Sequence, residues 1–354
     1  TTNAVAAAPV LLARERLAAG GCRGLLINSG NANAGTGKAG LADARALCDA
    51  AAAALDASGE SIWPFSTGVI GQPLPVERMR AGIGDAVADL RADGWLAAAG
   101  AIRTTDTLPK GLSRQIDVGV ERVTVTGIAK GAGMIRPDMA TMLAFIGTDA
   151  AILQADLQAA LEQAVAASFH CITVDGDTST NDACVLFATG QGPRLAPASA
   201  QWEQFQACLT QLCVTLAQAI VRDAEGATRF VTIAVDGALD SGEARRVAYT
   251  VAESPLVKTA LFAGDPNWGR ILAAVGRAGV PALKIGGVCI SLDDVPIVRG
   301  GEPVAGYQES AAAAVMAQTE YTIAINLGRG QARTRVWTCD LGYEYVRINA
   351  EYRS

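Results

Sequence analysis

Thr141 stands directly after the small residue Ala140, at the seam between a loop-like stretch, KGAGMIRPDMA, and an apolar run, MLAFIGTDA. A threonine hydroxyl is a weak nucleophile unless a base stands beside it. The chain holds one histidine, His170, so an imidazole triad or a multi-histidine metal site has a single candidate member. His170 precedes CITVDGD, read here as a strand, and a structural role is the first expectation for it. The base must then come from elsewhere. The Thr141 hydroxyl can attack the Ala140 carbonyl, shifting the acyl group from nitrogen to oxygen. Hydrolysis of that ester would free an α-amine on Thr141 itself. An α-amine titrates near about 7.7–8.0 against about 10.4 for lysine, a far better match to neutral pH. Spacing alone favours the plainer reading, a threonine that merely begins a strand.

Acyl chemistry also needs donors for a developing oxyanion. WPFSTGVIG (Trp63–Gly71) offers a hydroxyl and a Gly-flexed backbone at Ser66, Thr67 and Gly68. NSGNANAGTG (Asn28–Gly37) offers a second loop rich in N–H groups. It lacks the GK[ST] of a P-loop and the spacing of a dinucleotide fingerprint, so a phosphate cradle is discounted. DGDTSTND (Asp175–Asp182) resembles a calcium loop only superficially. Positions six and twelve, Gly and Glu in an EF-hand, are Thr180 and Leu186 here. A turn of hydrogen-bonded Asp and Thr side chains is the default, with a role near the site as the alternative. In GDPNWGR (Gly264–Arg270), Trp268 and Arg270 either bind a carboxylate or pack and cap.

These residues need a scaffold. Half of the 354 residues are hydrophobic and 18% are charged, which supports a large core and excludes global disorder. Length suggests about two domains. A net charge of −6 without a basic block argues against nucleic acid and an anionic membrane as partners. No apolar run approaching about 18 residues is evident, and no secretory signal is read at the start. The eight scattered cysteines form no CxxC pair and read as buried thiols in a reducing cytoplasm.

Strands are expected at RGLLINSG, ERVTVTGIA, TMLAFIGTDA, ITVDG, ACVLFATG, RFVTIAVDGA, GGVCISL, YTIAINLG and TRVWTCDL. Helices are expected at LADARALCDAAAAALDA, LPVERMRAGIGDAVADLRA, LQADLQAALEQAVAASF, ASAQWEQFQACLTQLCVTLAQAIVRDAEG, ARRVAYTVAESPLVKTALFAG and YQESAAAAVMAQTE. Alternation throughout implies an α/β protein of layered sheets and helices in two lobes, with a boundary near residues 140–150.

KGAGMIRPDMATMLAFIGTDA, TVDGDTSTND, LVKTALFAGDPNWGRILAAVGRAG, NSGNANAGTG, STGVIG and CDLGYEYVRINAEYRS together resemble the ornithine acetyltransferases. These are the glutamate N-acetyltransferases of the cyclic arginine pathway. The resemblance spans nearly the whole chain, and it implies an N-terminal-nucleophile-type acyltransferase. It implies self-cleavage at Ala140/Thr141 into an α chain (1–140, the oxyanion-hole lobe) and a β chain (141–354). It also implies ping-pong transfer of acetyl from N2-acetylornithine to glutamate through Thr141. Thr67 and Gly68 match the family's oxyanion-hole pair. Thr104, Lys130, Thr141, Glu225, Asn349 and Ser354 match its substrate-binding positions, with Thr105 adjacent to Thr104. A fixed cation such as Lys130 suits the α-carboxylate shared by donor and acceptor. Glu225, Asn349 and Ser354 could serve the two different tails, with water adapting.

No cofactor or metal is implied, although acetyl-CoA is accepted as a substrate by some members. An α2β2 or larger assembly in the cytoplasm is the family's habit. The chain departs from the pattern in three places. It starts later than family chains usually do, Ser354 replaces a frequent Thr, and Arg136 sits at a variable position. The alternative enzyme is a Thr-nucleophile amidohydrolase or aminopeptidase, with water as acceptor. A binding module with an inert Thr141 is the third reading.

Overall fold

The apolar run Leu25-Leu26-Ile27 and the β-branched and aromatic residues of IWPFSTGV pair as two parallel strands, β1 (Gly24–Asn31) and β2 (Ile62–Val69). A computed structural model describes residues 1–136 and 142–352. The chain divides into two compact units. One comprises Thr1–His170 and Asp177–Ile220; the other comprises Cys171–Gly176 and Val221–Tyr352.

In the first unit, helix α1 (Ala8–Ala19) precedes β1, and α2 (Gly37–Ala54) connects it to β2. Leu47, Cys48, Ala51 and Ala52 of α2 pack with Ile62 of β2. Helices α3 (Val76–Ala88) and α4 (Trp95–Ala101) follow. Strands β3 (Lys110–Val118), β4 (Glu121–Lys130) and β5 (Leu143–Thr148) then pair antiparallel. After α5 (Gln154–Ala166), β6 (Ala183–Ala188) joins parallel to β5, giving the order β3-β4-β5-β6. Phe65 meets Phe145 edge-on at 5.1 Å, over a core that includes Ile128 and Leu143. Strands β4 and β5 pair across the point where Ala140/Thr141 falls in sequence, from Lys130↔Leu143 to Val125↔Thr148. The long helix α6 (Ala200–Arg222) approaches closely at Gly127. A side chain there would come within 2.8 Å of Leu212 and 3.1 Å of Leu216.

The second unit is built on a six-stranded sheet. Its strands are β7 (Phe230–Ala238), β8 (Cys289–Leu292), β9 (Val295–Arg299), β10 (Glu302–Pro303), β11 (Glu320–Asn326) and β12 (Ala332–Cys339), in the order β10-β9-β8-β11-β7-β12. Only the β7/β11 pair is parallel among these. Its core joins Val231, Ile233, Val235 and Ile323 to Val247, Val251 and Ile271 of the helices α7 (Ser241–Ala252) and α9 (Trp268–Gly276). Helices α8 (Pro255–Ala263), α10 (Glu309–Met316) and α11 (Tyr343–Glu351) complete it.

The layered α/β expectation holds, with four corrections. ITVDG makes no strand: His170 lies in a 3-10 turn, Phe169–Cys171, and Ile172 contributes one isolated bridge to Trp337. ARRVAYTVAESPLVKTALFAG is two helices, because Pro255 cannot continue the first. Ser254 accepts from Val257 N–H and caps the second. STG lies inside β2, not in a loop. Helix α6 is long and apolar enough to cross a membrane by length and composition, with a mean hydropathy of 1.2. Half of that window is buried, and Phe205, Leu209, Leu212, Leu216 and Ile220 are wholly enclosed. Those residues serve a core, which explains the composition without a bilayer. The eight cysteines are free thiols, and only Cys22 is exposed. Burial pushes the Cys213 thiol up to about 12, so it is inert as a nucleophile near neutral pH.

Candidate functional site

Thr67 and Gly68 are placed by the β1/β2 pair. Thr67 lies opposite Ser29 and Gly68 opposite Gly30, and Asn31 pairs with both Val69 and Thr67 in a bulge. Bulges re-aim backbone groups next to sites. Gly68 has φ +130°, and a Cβ there would lie 2.2 Å from the Gly30 carbonyl carbon. The preceding peptide is held from two sides. Ser66 Oγ donates to Asn28 Oδ1 at 2.5 Å, and Asn181 Nδ2 donates to the Ser66 carbonyl at 2.9 Å. The same Asn181 amide donates to the Ala32 carbonyl at 2.6 Å. The backbone at Thr67 and Gly68 is therefore fixed before any ligand arrives, as an oxyanion hole requires.

Lys130 ends β4 and is 2% exposed. Its Nζ donates to Thr104 Oγ1 at 2.8 Å and to Thr67 Oγ1 at 3.3 Å. Asp106 lies beneath this group with a fully buried side chain. It ion-pairs with Lys110 at 2.7 Å and with Lys130 at 3.7 Å. Asp106 also accepts from Gly131 N–H at 2.6 Å and Thr104 N–H at 3.2 Å. Burial alone would raise its pKa, but Lys130 and Lys110 outweigh burial and hold the carboxyl below its usual range. Thr104 rather than Thr105 thus meets Lys130.

Asp182 is 2% exposed and accepts from Met142 N–H at 2.8 Å through Oδ1. Among the described residues its Oδ2 makes no hydrogen bond. Burial pushes this carboxyl well above the ordinary range, and the Met142 bond only partly opposes it. A raised folded-state pKa means that the folded protein holds the proton more tightly than the unfolded chain. That stability is full below about pH 4 and is lost as pH rises through the folded-state pKa. Asp182→Asn keeps an acceptor for Met142 and removes the buried charge. It is expected to melt a few degrees above the parent at about pH 8, with the gap closing toward about pH 4. Melting curves across that range check this; a constant gap would contradict the sign.

Glu225 and Asn349 lie in the second unit, where Asn349 Nδ2 donates to Glu225 Oε2 at 2.7 Å. Asn349 comes from α11, which Gly226 (φ +69°) lets approach: a Cβ there would lie 2.7 Å from the Tyr345 nitrogen. The site residues Ala140, Thr141 and Ser354 lie outside the described residues.

Within NSGNANAGTG the turn at Asn33 closes on itself, while Asn28–Asn31 end β1 and line a cavity with Pro73, Arg78 and Met79. Asn33, wholly buried, donates to the Gly40 carbonyl at 2.9 Å and accepts from Thr36 Oγ1 at 2.7 Å. GDPNWGR packs and caps. Asn267 accepts from Arg270 N–H, while the Arg270 guanidinium donates to the Leu256 carbonyl at 2.9 Å. Trp268 packs on the second core.

Asp106 and Lys110 were not singled out from the sequence, whereas Asn181 and Asp182 fall in DGDTSTND, for which a role near the site was the alternative reading. A signal existed for the first pair, an acid and a lysine four apart beside hydroxyls in TTDTLPK. Asn181 and Asp182 end the DGDTSTND run, whose last two side chains reach Ser66 and Met142.

A profile of the ArgJ family matches residues 1–354. The "Arginine biosynthesis bifunctional protein ArgJ" of Methylococcus capsulatus is 57% identical over 356 residues, covering 100% of this chain and 87% of its own length. The protein of the same name from Pseudomonas syringae pv. tomato is 52% identical over 357 residues, covering 100% and 88%. The crystal structure of the arginine biosynthesis bifunctional protein ArgJ from Bacillus halodurans aligns with a TM-score of 0.56 at 40% identity. That alignment covers 59% of this chain and 98% of the other.

Proposed function

The chain belongs to the ArgJ family and is a glutamate N-acetyltransferase, and we propose that Thr141 carries the acetyl group between N2-acetylornithine and glutamate. In the maturation step, Thr141 Oγ attacks the Ala140 carbonyl carbon and its proton passes to the departing nitrogen. Water then cleaves the ester, leaving a carboxylate on Ala140 and a free amine on Thr141. In the first half-reaction, Oγ attacks the acetyl carbonyl of the donor while the Thr141 amine takes its proton. The oxyanion is met by the Thr67 hydroxyl and the Gly68 N–H. Collapse breaks the amide, the proton passes to ornithine's nitrogen, and acetyl-threonine remains. Glutamate's α-amine reverses these steps and leaves as N-acetylglutamate.

The observation that carries this reading is the meeting of Thr67, Thr104 and Lys130 through one ammonium group. Mass spectrometry after exposure to N2-acetylornithine tests it. The fragment beginning at Thr141 should gain one acetyl group and lose it when glutamate is added. An unmodified fragment under turnover conditions would end the covalent route. Release of free acetate at one rate with and without glutamate would instead indicate the amidohydrolase.

Glu225, held by Asn349, is the partner of ornithine's side-chain ammonium. Glu225→Gln is expected to raise the KM for N2-acetylornithine about tenfold while that for glutamate stays put. Equal changes for both substrates would reject the assignment. Acetyl-CoA is the second donor in this reading, in keeping with "bifunctional" in the relatives' names, and the cytoplasm is the place of action. N-acetylglutamate should then form from acetyl-CoA and glutamate alone; no product from that mixture would remove acetyl-CoA from the scheme.

A further inference from the structure

The Lys130 ammonium has three N–H donors and no acceptor. In each of its bonds to Thr67 Oγ1 and Thr104 Oγ1, the threonine oxygen must therefore be the acceptor. Each O–H is turned away from Lys130, and among the described residues neither donates to another group. A lone hydroxyl rotates to suit its neighbours and can present either a lone pair or a proton to a ligand. A hydroxyl that already accepts from a buried cation has one of its two lone pairs taken and is biased toward presenting its proton. The cation also polarises that O–H bond, which strengthens it as a donor where little water screens the charge.

Lys130 itself is held at the root. Asp106 ion-pairs with its Nζ, accepts from the next residue's N–H at Gly131, and accepts from Thr104 N–H. One carboxylate thus ties the cation, the end of its strand and the loop bearing the second hydroxyl.

We infer that Lys130 is a positioning residue for the oxyanion hole: seated by Asp106, it orients the Thr67 hydroxyl as a proton donor toward the developing negative charge. This deepens the proposed function, since it rests on Thr67 and Gly68 being the oxyanion hole. It differs from direct pairing of Lys130 with a substrate α-carboxylate, because the two roles give different kinetics. A group that acts through Thr67 changes kcat, whereas a carboxylate-binding group changes the KM of both amino-acid substrates.

A double-mutant cycle on the self-processed enzyme decides between them. Lys130→Met, Thr67→Val and the double variant would be assayed with N2-acetylornithine and glutamate, with rates expressed per processed chain. The expected result for Lys130→Met is a kcat lower by about 10²-fold with both KM values within about twofold of the parent. The double variant should fall no more than about threefold below the worse single variant, because the second change removes an interaction already lost. Multiplicative losses, or a tenfold rise in both KM values with kcat preserved, would overturn the inference. A fully active Thr67→Val would instead defeat the oxyanion-hole reading beneath it. If Lys130→Met does not fold or process, Asp106→Asn, nearly isosteric, takes its place in the cycle. The same loss of kcat and the same non-additivity with Thr67→Val are expected, and additivity there would count against the inference.

Discussion

Thr141→Ala is expected to leave the protein as one uncut chain and to reduce acetyl transfer by at least about 10⁴-fold. The size of the effect follows from two functions sharing one residue. Without the hydroxyl nothing attacks the Ala140 carbonyl, so the α-amine that would serve as base stays locked in an amide. Loss of the nucleophile therefore also withholds the base. Thr141→Ser restores the hydroxyl and should recover both cleavage and transfer in part. In the parent, kcat/KM should rise with pH through about 7.7–8.0, since the amine must be unprotonated to accept the hydroxyl proton, and activity is lost below that range. Denaturing electrophoresis, N-terminal sequencing of the smaller pieces and initial rates over pH give the three readouts. Transfer at the parent rate by an uncut Thr141→Ala chain would refute the covalent scheme.

Strands with local patterns were legible, β4 with its terminal Lys130 among them, whereas β2, which carries Thr67 and Gly68, reads as a loop around STG. ERVTVTGIA and RFVTIAVDGA announce themselves by β-branched residues. RGLLINSG does so by its position before a Gly/Asn loop. The motif residues Thr67, Gly68 and Lys130 were legible through resemblance, since no spacing rule links positions 63 residues apart. What stayed hidden was the layer behind them. Asp106 sits in a short polar run without periodicity, and its significance lies in partners supplied by strand β4. Asn181 matters because it reaches Ser66 and Ala32, each more than a hundred residues away in sequence. The failed strand at ITVDG shows the converse. Its β-rich composition is satisfied by burial of Ile172 and Val174 and by a single bridge, with no ladder to join. The helix over residues 244–264 was misread for a different reason. Its apolar content runs on through Ser254-Pro255, and only the missing proline N–H breaks the register.

Gly68→Ala is expected to lower kcat by about 10²- to 10³-fold, the cost of losing one oxyanion donor, and to destabilise the fold as well. Two separate effects combine at this position. The backbone has φ +130°, a conformation that L side chains rarely adopt. A methyl group would lie 2.2 Å from the Gly30 carbonyl carbon and 2.5 Å from Asn31 nitrogen. Those are backbone atoms of β1, so no side-chain rotation can relieve the clash. Either the strands part or the Gly68 peptide turns, and in both cases its N–H leaves the direction set by the β1/β2 register. Strain and overpacking together should remove about 2–5 kcal/mol of stability. Gly71→Ala separates the two effects. Gly71 also has positive φ, +78°, but nothing lies within 4 Å of its would-be Cβ. That variant should lose about 1–2 kcal/mol from backbone strain and keep the parent kcat. Denaturant titrations give the stabilities, and steady-state rates at saturating N2-acetylornithine and glutamate give kcat. Parent-level turnover in Gly68→Ala would mean that the N–H of residue 68 is not where the negative charge develops, and the donor would have to be sought elsewhere along β1 and β2.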